Sequence, residues 1–395
     1  MKANIYTQRR ISMLTPQSRQ RVYANLVRHQ FQKSGTTKAD GKPRPEVFKH
    51  VPVQRSRVFT GTPQKGTCNH QSGFCQWQGE YYYVFSNSQV DEEVPGMRTM
   101  ITTSTDLVEW REPWCLAAGD VKADMWRQTG GIMAFDDRLV AFVQTKIGHH
   151  LTSRAGMSAA DQTKTQYRVS IFVSKDAQVW NEQEAADDCY WFEAPRLTQE
   201  NRLLCAGSCR DKPIVFLWPG SDPTERPQAV DIPYDQSHGL DSGRFPYGEA
   251  SWYQTDEGDI LLFHRNETDE LRLRVALSSD GGRSWSEPMQ SDIPDSMSRV
   301  HAGRLTDGRY YLINNAIADL LNRIPLAIWI SEDGYRFNEQ YILLDEPTQI
   351  SFPGALKAHG YQYPSSMAED ERLLVSYSVN KEHMEIMSVK VSDLL

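Results

Sequence analysis

The chain has 395 residues, 39% of them hydrophobic, with 10 Trp, 17 Tyr and 14 Phe. This composition is enough for a large core in a soluble protein and is rich in residues that suit strands. No apolar run approaches the roughly 18 residues that span a bilayer, so no membrane partner is expected. The formal net charge is −8 without any basic block, which argues against a nucleic-acid partner. An acidic substrate would need a few specifically placed arginines to overcome the general negative field.

The first 45 residues are predicted to form a helix and a linker outside the main domain. Residues 15–33 (TPQSRQRVYANLVRHQFQK) read as one amphipathic helix with a Thr cap, and a loop rich in Gly, Lys and Pro follows. The positively charged N-terminus precedes no apolar segment and is therefore not a secretory signal as written. We expect a cytoplasmic protein, or a secreted one if a leader has been removed.

The cysteines do not suggest a metal site. The six are Cys68, Cys75, Cys115, Cys189, Cys205 and Cys209. They form no CxxC pairs and have no paired His ligands, so zinc is not expected. Cys205 and Cys209 are near enough in sequence to bridge, but buried reduced thiols fit a leaderless chain better. No phosphate loop or dinucleotide fingerprint occurs, so no cofactor is expected.

From residue 46 onward, short apolar runs alternate with Gly, Asp and Asn turns, which predicts an all-β repeat. The runs are 81–87, 138–145, 167–174, 213–220, 259–265, 309–316 and 372–379. Between them SSDGGRSW (278–285) fits the Asp-box S-x-D-x-G-x-x-W in full. Three shortened relatives occur at 104–110, 174–180 and 331–337. In such a box the Ser and Asp side chains bond a tight hairpin turn, so Asp106, Asp176, Asp280 and Asp333 are expected to be structural.

Six segments lead into these meanders and are predicted to be the innermost strands of propeller blades. They are 69–74, 127–133, 191–197, 248–254, 300–306 and 361–367. Their starts lie one four-stranded blade apart, which predicts a six-bladed propeller over residues 46–395. A seventh blade, built partly from residues 45–62 and the C-terminus, is the alternative.

In a propeller the inner strands start at one end of the central channel, so side chains there converge. GEASWYQTDEGDILLFHR (248–265) carries Glu249 and Arg265, NRIPLAIWISEDG (322–334) carries Arg323, and GYQYPSSM (360–367) carries Tyr361 and Tyr363. The order and spacing resemble the sialidase family over roughly residues 60 to 395. The resemblance implies an Asp-box propeller that removes a terminal acidic sugar from a glycan.

The same resemblance implies roles for these residues. Arg265 and Arg323 would clamp a substrate carboxylate, because guanidinium forks match a planar carboxylate. Tyr363, or Tyr361, would attack the anomeric carbon after losing its proton to Glu249. A proton donor for the leaving group would come from the segment VDEEVPGMR, at Asp91, Glu92 or Glu93.

One segment departs from the sialidase pattern and supports a second resemblance. Sialidases carry a further arginine of the carboxylate site on the first inner strand, where this chain has Asn69, His70 and Gln71. Residues 69–98 and the C-terminal segment resemble the Asp-box propellers that act on terminal rhamnosyl-glucuronate, some as hydrolases and some as lyases. That resemblance points to His70 as a catalytic residue. For a lyase, His301 is an alternative base.

Weaker candidates for the channel are Arg127, His301, Arg304 and Lys381, whereas His149 and His150 are expected in a solvated loop. Three functions stay open: an exo-acting glycoside hydrolase, a polysaccharide lyase acting on uronate, and a non-catalytic glycan-binding propeller. The expected partner in each case is an acidic oligosaccharide or glycan. The sequence leaves the oligomeric state open.

Overall fold

The computed structural model describes residues 48–148, 166–209, 212–234, 247–268, 270–337 and 339–395. The predicted helix at 15–33, its linker, and the His149–His150 pair lie outside these described residues. Within the described part, no helix is long and apolar enough to cross a membrane.

The described chain folds into six sheets that follow one another in sequence, and each forms one blade of a propeller. Two strands precede the first blade: β1 (Lys49–His50) and β2 (Gln54–Thr60). Blade one contains β3 (Cys68–Trp77), β4 (Glu80–Ser88), β5 (Arg98–Ser104) and β6 (Trp114–Ala117). Blade two contains β7 (Met125–Phe135), β8 (Arg138–Ile147), β9 (Gln166–Ser174) and β10 (Asn181–Asp187). Blade three contains β11 (Cys189–Trp191), β12 (Arg196–Leu197), β13 (Leu203–Cys209), β14 (Lys212–Leu217) and β15 (Gln228–Asp231).

The second half of the propeller repeats the same meander. Blade four contains β16 (Tyr247–Gln254), β17 (Ile260–Asn266), β18 (Arg272–Ser278) and β19 (Met289–Pro294). Blade five contains β20 (His301–Arg304), β21 (Tyr310–Asn314), β22 (Leu326–Ser331) and β23 (Glu339–Leu344). Blade six contains β24 (Tyr361–Glu369), β25 (Arg372–Val379) and β26 (His383–Lys390), and a 3-10 turn follows at Val391–Asp393.

The N-terminal strands close the ring instead of forming a blade of their own. β2 pairs antiparallel with β26 and becomes the outermost strand of blade six. β1 pairs parallel with β23 at the outer edge of blade five. The six-bladed prediction is therefore confirmed, and the seven-bladed alternative is wrong because the residues proposed for it complete blades five and six.

The hydrophobic core is divided into six clusters, and each lies between two consecutive blades. Between blades one and two, for example, Val84 and Ile101 pack with Leu139 and Ala141. Between blades six and one, Leu374 and Ile386 pack with Tyr83 and Phe85. The apolar faces of the sheets pack against one another between neighbouring blades. The central channel is therefore lined by polar side chains on the first strand of each blade.

The Asp-box turns take the structural role that the sequence predicts. Each lies between the third and fourth strands of its blade. In the complete box, the Asp280 carboxylate accepts hydrogen bonds from the backbone N–H groups of Arg283 and Ser284, at 3.0 and 2.9 Å. The Trp285 ring is buried behind the turn, where its N–H donates to the Gly282 carbonyl. Asp106, Asp176 and Asp333 bond their own turns in the same way.

The cysteine pairing differs from the expectation. Cys189 and Cys209 form a disulfide, whereas Cys205 is a buried free thiol. Cys189 opens β11 and stands opposite Cys209 of β13 in the antiparallel register, so the two side chains meet across neighbouring strands. Cys205 lies earlier on β13 and packs between blades two and three.

Candidate active site

A cavity of about 500 Å³ lies at the end of the channel where the first strands begin and the second strands end. All six blades contribute to its lining, so residues far apart in sequence meet there. Its charged lining residues are Glu92, Glu93, Lys146, Glu249, Arg265, Glu267, Arg323, Lys357 and Lys381. The described residues contain no group of three or more His, Cys, Asp or Glu that could hold a metal ion.

Tyr363 enters this cavity and Tyr361 does not. In a regular strand the two side chains would share a face, but β24 has a bulge after Gln362, and Tyr363 has a φ of 55°. The Tyr363 hydroxyl donates to Glu92 Oε2 at 3.2 Å. Tyr361 is buried between blades five and six, where its hydroxyl donates to Glu346 Oε2 at 2.9 Å. Of these two tyrosines, only Tyr363 lines the cavity.

Glu92 links the tyrosine to a cation and to a histidine. Lys381 Nζ donates to Glu92 Oε1 at 2.6 Å, and His70 Nε2 lies 3.4 Å from Glu92 Oε2. Burial alone would raise the pKa of Glu92, but the Lys381 ammonium and its other partners lower it to about 2. Burial, with the charges of Glu92 and Glu249, raises the pKa of Tyr363 well above its ordinary value. At neutral pH Glu92 is therefore ionised and accepts a hydrogen bond from a protonated phenol.

Glu249 is engaged with an arginine instead of the tyrosine. Arg265 Nη1 donates to Glu249 Oε2 at 2.6 Å, and the Gln71 amide donates to Oε1 at 3.4 Å. Arg265 Nε also lies 3.9 Å from Glu267 Oε1. Glu249 was expected to take the tyrosine's proton, but in the described geometry Glu92 is the carboxylate bonded to Tyr363.

Arg323 lines the cavity as a buried cation that has no carboxylate partner among the described residues. Its side chain is 7% exposed, and Nη1 donates to the backbone carbonyl and the hydroxyl of Ser296 at 2.9 and 3.0 Å. Within the described part of the chain, no carboxylate oxygen lies within 4 Å of its guanidinium. Burial and the positive charge of Arg265 lower the pKa of Arg323 to about 10. A bound anion would relieve both unfavourable effects.

His70 lies behind the cavity and does not line it. Its ring contacts the Tyr363 ring, with centroids 5.1 Å apart and planes at 61°. Burial lowers the pKa of His70 to about 4, so the imidazole is neutral at physiological pH. In the described part of the chain its Nδ1 has no hydrogen-bond partner. The geometry therefore lets His70 orient Tyr363 and Glu92, but His70 does not reach a ligand in this cavity.

The remaining predicted residues do not line the cavity. Asp91 accepts hydrogen bonds from the backbone N–H groups of Ala355 and Leu356, which fixes a loop. His301 contacts the Ser366 hydroxyl and Glu193 in a separate buried network. Arg127 and Arg304 form ion pairs, with Glu182 at 3.1 Å and with Asp256 at 2.7 Å. Arg127 precedes Gln128, which does line the cavity, and successive strand side chains point to opposite faces.

Several lining residues were missed by the sequence analysis. Lys357 Nζ lies 3.3 Å from Glu382, and both side chains are fully buried. Gln71 and Gln128 bond each other, and the Gln71 amide donates to the Tyr190 hydroxyl at 3.1 Å. These amides occur on the first strands of blades one and two. Their position on predicted inner strands could have identified them from the sequence. Lys357 belongs to a loop between blades, for which the strand pattern provides no signal.

Comparison with known proteins agrees with the propeller. Residues 88–375, well over half of the chain, match the BNR repeat-like domain family. The chain belongs to the BNR repeat-like family. No protein with curated annotation matches this BNR repeat-like chain in sequence.

Solved structures similar to this BNR repeat-like propeller include sialidases. A structure named sialidase is 19% identical with a TM-score of 0.52, covering 87% of this chain and 33% of that protein. The leech intramolecular trans-sialidase is 11% identical with a TM-score of 0.63, covering 87% of this chain and 71% of its own. A protein of unknown function from Dyadobacter fermentans is 13% identical with a TM-score of 0.63, covering 86% and 99%. The chain thus spans about a third of the first sialidase. These similarities establish a sialidase-like fold.

Proposed function

We propose that this chain is an exo-acting glycoside hydrolase that removes a terminal acidic sugar, with Tyr363 as its nucleophile. The observation that supports it most is the Tyr363–Glu92 hydrogen bond in a cavity that also holds Arg265 and Arg323. A neutral phenol suits a sugar that bears a carboxylate, because a carboxylate nucleophile would be repelled by it.

The two arginines would hold the carboxylate of the sugar. Arg323 has donors to offer because Ser296 occupies only its Nη1, and Arg265 adds a second cation beside it. A guanidinium and a carboxylate form short, charge-assisted hydrogen bonds, which fix the orientation of the sugar ring. This orientation would present the anomeric carbon to Tyr363.

In the first chemical step, the Tyr363 oxygen would bond the anomeric carbon while the glycosidic C–O bond breaks. The phenolic proton passes to Glu92, and a donor protonates the leaving oxygen. Of the predicted donors, Asp91 fixes a loop and Glu92 serves the tyrosine, which leaves Glu93. Glu93 lines the cavity, and the Lys146 ammonium, 3.0 Å from its carboxylate, would supply the proton that Glu93 passes to the leaving oxygen. In the second step water would attack the anomeric carbon while the bond from the sugar to the Tyr363 oxygen breaks. Glu93 would take a proton from the water, and Glu92 would return the phenolic proton to Tyr363.

A uronate lyase is the second candidate, because the same contacts could serve elimination. Tyr363 is hydrogen-bonded to a carboxylate and packed against His70, and Arg323 could neutralise the uronate carboxylate. In that reaction the proton beside the carboxylate is removed and the leaving oxygen departs from the adjacent carbon. The product contains a C–C double bond conjugated to the carboxylate.

The product that is formed from an acidic glycan distinguishes the hydrolase from the lyase. We expect release of a free terminal sugar with no increase in ultraviolet absorbance, because hydrolysis leaves no conjugated double bond. The measurement follows absorbance and reducing sugar together on sialosides and uronosides. Glu92→Gln should lose sugar release, since the amide cannot accept the Tyr363 proton.

An increase in ultraviolet absorbance that is lost in His70→Ala would contradict hydrolysis and support lyase activity. Binding of acidic glycans without turnover in any assay would point to a non-catalytic propeller. Asp106→Asn, in an Asp-box turn remote from the cavity, is the matched carboxyl-to-amide control and should retain sugar release.

A further inference from the structure

The connection between blades four and five contacts the segments that carry Arg265 and Arg323. It follows Pro294, the last residue of β19, and precedes β20. Two of its residues, Asp295 and Ser296, are completely buried. Neither lines the cavity, and neither takes part in the proposed reaction. Their hydrogen bonds nevertheless join the two arginine segments to each other.

Asp295 attaches this connection to the strand that carries Arg265. Its Oδ2 accepts a hydrogen bond from the backbone N–H of Asn266, the residue after Arg265, at 2.8 Å. Its Oδ1 accepts one from the backbone N–H of Ser298 at 3.1 Å, which closes a turn. The N–H of Asp295 donates to the Leu271 carbonyl at 3.0 Å. The turn is therefore fixed to the β17–β18 hairpin of blade four.

Ser296 connects the same turn to Arg323. Its carbonyl and its hydroxyl both accept from Arg323 Nη1, at 2.9 and 3.0 Å, and the carbonyl also accepts from the N–H of Leu321 at 3.0 Å. Met297 and Leu321 have φ angles of 60° and 59°, which residues other than glycine keep only where surrounding contacts impose them. The contacts around Ser296 thus define one position for Arg323, and they occupy a single nitrogen of its guanidinium.

A fixed position matters for binding because Arg265 and Arg323 carry like charges in the same cavity. Burial and the positive charge of Arg265 both act against the charged form of Arg323. Without an acceptor on Nη1, the long side chain of Arg323 would move away from Arg265 and would have to be ordered again when an anion binds. Ordering a flexible side chain during binding weakens affinity, whereas a side chain that is held beforehand does not.

We propose that Ser296 is a positioning residue: it holds Arg323 beside Arg265 before a ligand enters, so that the two guanidinium groups form one preformed site for a carboxylate. The inference rests on the proposed function and adds a residue that acts on carboxylate binding through Arg323. Asp295 contributes by fixing the turn that carries Ser296 to blade four.

The first test is calorimetric titration with free sialic acid and free glucuronic acid, and with each sugar after its carboxylate is reduced to an alcohol. Ser296→Ala should weaken binding of the acid about 3- to 10-fold, the effect of one lost hydrogen bond, and should not change binding of the alcohol. Ser298→Ala is the matched control, because it removes a buried hydroxyl of the same turn that bonds no described residue. This control should bind the acid as the unmodified protein does.

The second test observes Arg323 without any ligand. Nuclear magnetic resonance relaxation of the Arg323 Nε–H group, assigned by its absence in Arg323→Ala, should show a more mobile side chain in Ser296→Ala and an unchanged one in Ser298→Ala. If Ser296→Ala does not fold, Ser296→Cys keeps the size of the side chain with a weaker acceptor and should show smaller changes in the same directions.

Neither measurement needs turnover, so a protein that releases no sugar would contradict the proposed function and still decide the inference. Unchanged affinity for the acid or unchanged mobility of Arg323 in the Ser296 variant would overturn it. Equal losses of affinity for the acid and the alcohol would show a general structural role and would also overturn it. So would a failure of the unmodified protein to bind either acid.

Discussion

Tyr363→Phe should lower kcat by about 10³-fold or more while the affinity for an acidic sugar stays within a few-fold, as expected when a nucleophile is lost. The ring of Tyr363, its contact with His70 and its position in the bulge of β24 would all be retained. Only the hydroxyl that donates to Glu92 would be removed. The check is single-turnover kinetics together with calorimetric binding of the product sugar.

Tyr361→Phe is the matched control for this substitution. It removes a hydroxyl two residues away on the same strand, where the bond to Glu346 would be lost and the cavity would be unchanged. We expect nearly unchanged kcat in this variant. If the two variants lost activity equally, or if Tyr363→Phe remained active, the role given to Tyr363 would be wrong.

Arg323→Ala should weaken binding of an acidic sugar by about 2–5 kcal/mol, the cost of removing one partner of a buried charge pair. The thermal stability of the free protein should change little, because among the described residues the Arg323 side chain bonds only Ser296, and its positive charge is repelled by that of Arg265. The measurements are calorimetric binding of the acidic sugar and of its neutral reduced analogue. The neutral analogue should bind both proteins equally.

Arg265→Ala provides a contrast within the same cavity. It would leave Glu249 without its 2.6 Å partner, and breaking such a buried pair costs about 3–5 kcal/mol of folding stability. Arg304→Ala, which removes an arginine outside the cavity, should change neither binding nor folding appreciably. Equal binding of the acidic sugar by Arg323→Ala and the unmodified protein would show that Arg323 is structural.

The fold could be predicted from the sequence because its signals are local. An Asp-box places Ser, Asp and an aromatic residue within one turn, so SSDGGRSW at 278–285 specifies its hairpin without reference to the rest of the chain. The six inner strands follow from the same repeat. The sheets with which β1 and β2 pair depend on which sheet edges are free when the ring of blades closes. This is a property of the whole chain and not of a local pattern.

The site was only partly predictable, since contacts across the channel join blades that no local pattern connects. Arg265, Arg323 and Tyr363 line the cavity, and the roles that the sialidase resemblance implies for them stay predictions. The choice between Tyr361 and Tyr363 depends on the bulge in β24, which the sequence does not mark. The choice of carboxylate depends on the distance from Tyr363 to Glu92, and these residues belong to the last and first blades. Likewise, the Cys189–Cys209 pairing depends on the register of β11 and β13.

A covalent bond between Tyr363 and an acidic sugar can be detected by mass spectrometry of a trapped intermediate. The reagent is an acidic glycosyl fluoride that carries a second fluorine beside the anomeric carbon, which slows release of the sugar from the enzyme. We expect one added sugar on the peptide that contains Tyr363, and none in Tyr363→Phe. Sugar on another residue, or turnover of the reagent without any adduct in either protein, would contradict it.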